Sequence, residues 1–181
     1  MNFGSYSKCL CVGLLMAILM FLSTTSYSQL VYKKILSSTI SVKLPFSFKV
    51  MDANTLSSKY QTNNKPSEVY TNEEATVNIA FKKTTQLLSE QNVFVEGKKI
   101  EQQLTSNGKV QLISSGQVKT NKNNIYVFSF YSDAIDTRVY NVMFIFSLKG
   151  KMILGSFNCT MALQNQWQDA AYEIIRSVEV I

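Results

Sequence analysis

The stretch from Asn124 to Ile181 constrains the fold more than any other: three strand-like runs joined by short polar turns, then one amphipathic helix. Ile125–Ser132 reads IYVFSFYS, Thr137–Leu148 is a long aromatic and aliphatic run, and Met152–Thr160 follows the tight reversal Lys149-Gly150-Lys151. Connections this short predict antiparallel neighbours. One face of this meander is expected to carry Tyr126, Phe128, Phe130, Tyr140, Val142, Phe144, Phe146, Ile153 and Phe157. Ile125, Val127, Tyr131, Val139, Met143, Ile145, Met152 and Leu154 then share the other. Neither face is polar, and a sheet that is apolar on both sides needs a layer over each. The expected class is α+β: a central antiparallel β-sheet flanked by helices on both faces, an α/β/α sandwich. A ligand or partner covering one face is the alternative.

The closing helix supplies one layer. Leu163, Trp167, Ala170, Ala171, Ile174 and Val178 recur at helical spacing, with Gln164, Gln168, Glu173 and Arg176 opposite. Loss of Trp167, were its indole fully buried, would cost about 3–5 kcal/mol. A second helix is expected within Thr84–Asn107, where Val93, Gly97, Ile100 and Leu104 share one side. Thr84, Thr85 or Ser89 could cap it, and Ser106-Asn107-Gly108 would stop it. Gly97 costs about 1 kcal/mol relative to alanine there and marks a close contact.

Upstream, Thr39–Val50 alternates like a strand, but Pro45 interrupts it and predicts an edge strand or two short pieces. Asp52 is placed to cap a short helix over Asp52–Tyr60, and Gln61–Ser67 reads as a loop. Glu68–Tyr70 and Ala75–Phe81 read as a hairpin around Asn72-Glu73-Glu74. Lys109–Lys119 returns to strand character, broken by Gly116.

The first 28 residues read as a secretory signal: Lys8, then the uncharged 14-residue run Cys9–Leu22, then Ser26-Tyr27-Ser28 before a cleavage expected between Ser28 and Gln29. The run is short against the ~20 residues of a membrane span. No stable span is expected after cleavage, and the protein is expected to be extracytoplasmic, periplasmic or secreted. Residues 29–38 read as a mixed lead-in and 39–181 as a single domain. Cys9 and Cys11 leave with the signal, so Cys159 remains alone and no internal disulfide is available.

The net charge is +6, of which Lys8 accounts for one. The lysines come as scattered pairs beside turns and there are only two arginines, so a solvated surface, not nucleic acid, is expected. The sequence contains no histidine, which removes the commonest general base and most zinc and iron ligand sets. Cys159 lies mid-strand with Phe157 and Met161 and reads as structural. The paired acids Glu73/Glu74 and Asp133/Asp136 fall in turns, and no phosphate-binding glycine motif or CxxC pair occurs. Asn158-Cys159-Thr160 matches a glycosylation sequon at a mid-strand position. No catalytic, cofactor-binding or metal site is therefore assigned, no cofactor is expected, and the chain is not read as an enzyme.

The order ISVKLPFSFKV, ATVNIAF, helix, meander and closing WQDAAYEIIRSVEVI resembles the PsbP-like superfamily, which includes DcrB-like envelope proteins and Ran-binding Mog proteins. Lys59–Phe81 is similar to a stretch of small uncharacterised secreted bacterial proteins. The resemblance implies an antiparallel sheet flanked by helices, and members that bind or assist assembly without catalysis. The expected role is a non-enzymatic binding or assembly-support protein whose partner is another envelope or secreted protein. A carrier of a small apolar ligand or lipid on a sheet face is the alternative.

Overall fold

A computed structural model describes residues 29–60, 65–106, 108–120, 122–134 and 137–181. The signal reading, its cleavage site, part of the 61–67 loop, Asn107 and Asp136 lie outside the described residues.

The strands form two antiparallel sheets. The small one has the order β1-β2-β10, built from β1 (Leu30–Ile35), β2 (Ile40–Pro45) and β10 (Glu179–Val180). The large one has seven strands in the order β3-β4-β5-β9-β8-β7-β6. These are β3 (Lys49–Val50), β4 (Glu68–Thr71), β5 (Val77–Leu87), β6 (Val110–Lys119), β7 (Asn124–Asp133), β8 (Arg138–Leu148) and β9 (Lys151–Thr160). Helices α1 (Ala53–Lys59), α2 (Val93–Thr105) and α3 (Gln164–Arg176) complete the described elements, with short 3₁₀ turns leading into α2 and α3. Helices flank both sheet faces: α2 covers β6–β8 on one, and α3 lies on the other beside the small sheet.

Local chemistry explains most boundaries. Pro45 ends β2, and the chain resumes as the two-residue edge strand β3, giving the two pieces that the proline predicts. Asp52 accepts from the backbone N–H groups of Asn54 and Thr55 and caps α1. Asn72 closes the β4–β5 hairpin by accepting from the N–H groups of Thr76 and Val77. Lys149–Gly150, both with positive φ, form the two-residue reversal between β8 and β9.

Four expectations are corrected. Residues 30–35 of the lead-in form β1, because β2 offers them an apolar partner strand with Val31 opposite Leu44 and Ile35 opposite Ile40. Thr84 and Thr85 cap nothing: β5 runs on to Leu87, and the chain turns helical only after Ser89. Gly116 does not break β6; the ladder slips between Leu112 and Ser114, leaving Ile113 as the extra residue of a bulge. Trp167 is half-buried, its ring 5.4 Å from that of Phe48. Trp167→Ala should therefore cost roughly half of the ~3–5 kcal/mol of a fully buried indole, as urea unfolding would measure.

The sheet faces also need regrouping. The β7–β8 hairpin pairs Asp133 with Arg138, so Tyr126 lies opposite Ile145 and Val127 opposite Phe144. Directly opposed residues share a face. Tyr126, Phe128 and Phe130 therefore join Ile145, Met143, Met152 and Leu154 under α2, with Leu88 and Val93. Ile125 and Val127 join Tyr140, Val142, Phe144 and Phe146 on the α3 side. Aromatic content cannot reveal this parity, which the hairpin connection sets.

Candidate functional site

The α2-side face of the large sheet is apolar only beneath α2 and near α1. Between them the alternation along four strands brings Asn78 of β5, Asn158 of β9, Asn141 of β8 and Ser132 of β7 to the same face, with Thr71 of β4 beside Asn78. Thr71 Oγ1 donates to Asn78 Oδ1 at 2.7 Å, and Asn78 Nδ2 donates to Asn158 Oδ1 at 3.0 Å. Asn141, opposite Asn158 in the ladder, donates to Ser132 Oγ at 3.0 Å. The Tyr60 hydroxyl bonds Asn158, and burial raises its pKa. Thr71 and Asn78 are buried; Ser132, Asn141 and Asn158 are half-buried. The reading of this face as apolar throughout is corrected here. The signal was available, since residues 78, 141 and 158 are asparagines within otherwise apolar strands. Neutral amides and hydroxyls of this kind can bind a ligand through hydrogen bonds.

A second polar cluster lies under α2. Glu101 is only 2 % exposed, one turn after Gly97 on the helix face that meets the sheet. Lys98 Nζ donates to its Oε1 at 2.5 Å, the Tyr126 hydroxyl donates to Oε2, and Ser115 adds a further bond. Burial pushes the carboxyl up, but the bonds from Lys98, Tyr126 and Ser115 outweigh it and hold the group below the ordinary glutamate value. Gly97 makes this arrangement possible. A Cβ there would stand 2.4 Å from the Tyr126 ring, so only glycine lets the helix sit this low. Sequence reasoning singled out Gly97 but not Glu101, although its i+4 spacing from Gly97 placed it on the same side. All of the cluster's bonds are internal, and it joins helix to sheet.

The other residues weighed in the sequence do not assemble. Asp133 is exposed, 3.7 Å from Arg138 Nε, and its partner Asp136 is outside the described residues. Glu73 and Glu74 sit in the β4–β5 turn, on a groove of about 650 Å³ that Lys49 and Asp52 also line. Among the described residues no group of three or more His, Cys, Asp or Glu is placed to hold a metal ion. Cys159 is buried beside Tyr140, its Cα partner in β8, whereas Met161 lies outside the strand and is exposed. Burial pushes the thiol up to about 12. Alkylating reagents at mildly alkaline pH should therefore leave Cys159 unmodified until the chain unfolds, as intact-mass measurement would show. Full labelling of the native protein would contradict this burial.

No family model and no curated protein sequence matches the chain. Solved structures do. Cyanobacterial PsbP (CyanoP) from Synechocystis sp. PCC 6803 superposes with a TM-score of 0.60 at 10% identity, covering 87% of this chain and 96% of that one. The Saccharomyces cerevisiae Ran-binding protein Mog1p gives 0.56 at 12% identity, covering 84% and 96%. A protein from Bacteroides thetaiotaomicron VPI-5482 gives 0.51 at 12% identity, and 83% of this chain spans 48% of it. Among the described residues no helix is long and apolar enough to cross a membrane. Two sheets, the helix pair on opposite faces and these superpositions agree: the described residues share the fold of cyanobacterial PsbP and Mog1p, as the sequence resemblance implies.

Proposed function

We propose that the protein is an extracytoplasmic, non-enzymatic binding or assembly-support module whose partner is another envelope or secreted protein. The observation that carries this reading is how the titratable side chains are used. Glu101 is bonded into the α2–sheet joint, Cys159 is packed with its thiol protonated, and Glu73, Glu74 and Asp133 are exposed. None of these arrangements offers a nucleophile and a base to one substrate. The α3-side face supports a surface role over a carrier role, because its apolar side chains are packed against the small sheet and α3. One of the similar structures is a Ran-binding protein, a protein-binding use of the same fold; its partner does not transfer with the fold.

Two measurements on the native host test the proposal. Fractionation should place the protein outside the cytoplasm, with residues 29–181 as the mature species. Affinity capture from the envelope fraction should then recover one stoichiometric protein partner. A cytoplasmic location would remove the localisation, and a turnover abolished by one point change would remove the non-enzymatic reading.

A further inference from the structure

We infer that the free edge of β6 is a self-association surface, on which a second copy of this chain adds its own β6 in antiparallel orientation. The seven-stranded sheet ends in two unlike edges. At one end β3 pairs over two residues only, Lys49 and Val50. At the other β6 runs for ten residues and, among the described residues, pairs on one side alone, with β7. A long edge strand presents unpaired backbone donors and acceptors, and such edges are normally guarded by charges or proline. Val110–Val118 reads VQLISSGQV, with neither a charged residue nor a proline, and Lys119 closes the strand as its one charge. Its guards are that terminal lysine and the bulge at Ile113, which leaves Ser114–Lys119 in regular register with β7.

The choice of a second copy as occupant comes from charge and symmetry. The chain is basic, so two copies approach most readily where little net charge meets. Helix α2, which lies over this edge, carries two lysines and two glutamates in its own ion pairs, Lys98–Glu101 and Lys99–Glu96. Its charges therefore balance. Exposed apolar residues mark both ends of the strand. Leu112 (39 % exposed) and Ile113 (43 %) lie near its start. Towards its other end, Phe94 (48 % exposed) packs on Tyr126, whose partner in β6 is Gln117. A two-fold axis across an antiparallel strand pair sets the start of one copy against the end of the other. That brings Phe94 of each copy towards the Leu112–Ile113 end of its mate, so the edge is complementary to itself. A partner protein offering an extended segment would need only the backbone edge and would gain nothing from this symmetric placing.

Sedimentation equilibrium of the full chain over roughly 1–100 μM tests the inference. The expected result is a monomer–dimer equilibrium, with amide exchange in Val110–Lys119 slowing as concentration rises. The variant Ile113→Lys/Gln117→Lys, which places four like charges across the two-fold, should weaken association about tenfold or more. Both side chains lie at the sheet edge, and circular dichroism confirms that the variant is folded. Phe94→Ser, on an exposed helix position, should weaken the dimer in the same direction without touching β6. A chain that stays monomeric throughout overturns the inference. So does a dimer that survives both variants, or one in which exchange in β6 is independent of concentration. Failure here leaves the proposed extracytoplasmic binding role untouched, because that role is read from localisation and captured partners.

Discussion

Phe144→Ala is expected to lower the unfolding free energy by about 3–5 kcal/mol, a large share of the ~5–15 kcal/mol that a domain of this kind commands. Phe144 is completely buried at the centre of β8. Its ring stands edge-on to Phe81 at 5.8 Å and stacks with Phe146 at 6.3 Å. Gly155 is its cross-strand partner in β9, and a Cβ there would come within 2.0 Å of the ring. The aromatic ring thus fills the space that the glycine leaves open, a pairing that recovers the packing a strand glycine forfeits. Removing the ring leaves a cavity walled by β-strands that cannot collapse into it. Gly155→Ala errs in the opposite direction and should cost about 1–3 kcal/mol through overpacking. The two changes should also compensate, since alanine at 155 has room once the ring is gone. Urea unfolding of the wild type, both single variants and the double variant measures this. Simple additivity would show that Gly155 and Phe144 do not share one space.

The second large effect concerns Glu101. Glu101→Ala removes the acceptor of the Tyr126 hydroxyl and of Ser115 beneath α2, and should cost about 1–3 kcal/mol, the range for a buried polar group left without its partner. Its pH dependence separates this cluster from ordinary packing. Because the folded carboxyl titrates below its ordinary value of 4.5, the unfolded chain takes up this proton at higher pH than the folded one does. The contribution is therefore fully present above about pH 4.5 and is lost as pH falls through the folded value. The stability gap between the wild type and Glu101→Gln should accordingly be widest near neutrality and narrow in acid. Urea midpoints at a series of pH values read this directly. A gap that does not change with pH would mean that the charge on Glu101 contributes nothing.

Both effects depend on pairings between distant segments, and that is where sequence and structure part. The periodicity of Leu163–Val178 gave the closing helix and its stripe, because a helix face is a property of neighbouring residues. Ile175 escaped it; the structure buries this residue as fully as Ile174, since α3 is flanked by both the small sheet and the large one. Pro45, Asp52, the Asn72 turn and Lys149-Gly150 likewise announce their boundaries through short-range backbone chemistry. The helix beginning was placed too early because Thr84 and Thr85 carry cap-forming side chains, while both lie in β5, in the irregular stretch between its Lys83 and Leu87 pairs with β9, where the Thr84 hydroxyl donates to the Met152 carbonyl.

Local patterning was enough to place the β7–β9 antiparallel meander, the two longer helices, a layer over each sheet face and the absence of histidine, but not β1 or β10, which form only as partners of β2. Tertiary structure alone decided which β7 side chains share a face with β8, that four strands align asparagines and a serine into one polar row, and that Glu101 reaches Tyr126. It also decided which strand is left at the edge. The physical reason is the same in each case. Periodicity is written along the chain, whereas strand order and register are relations between segments, fixed by connections whose parity no hydrophobic pattern records.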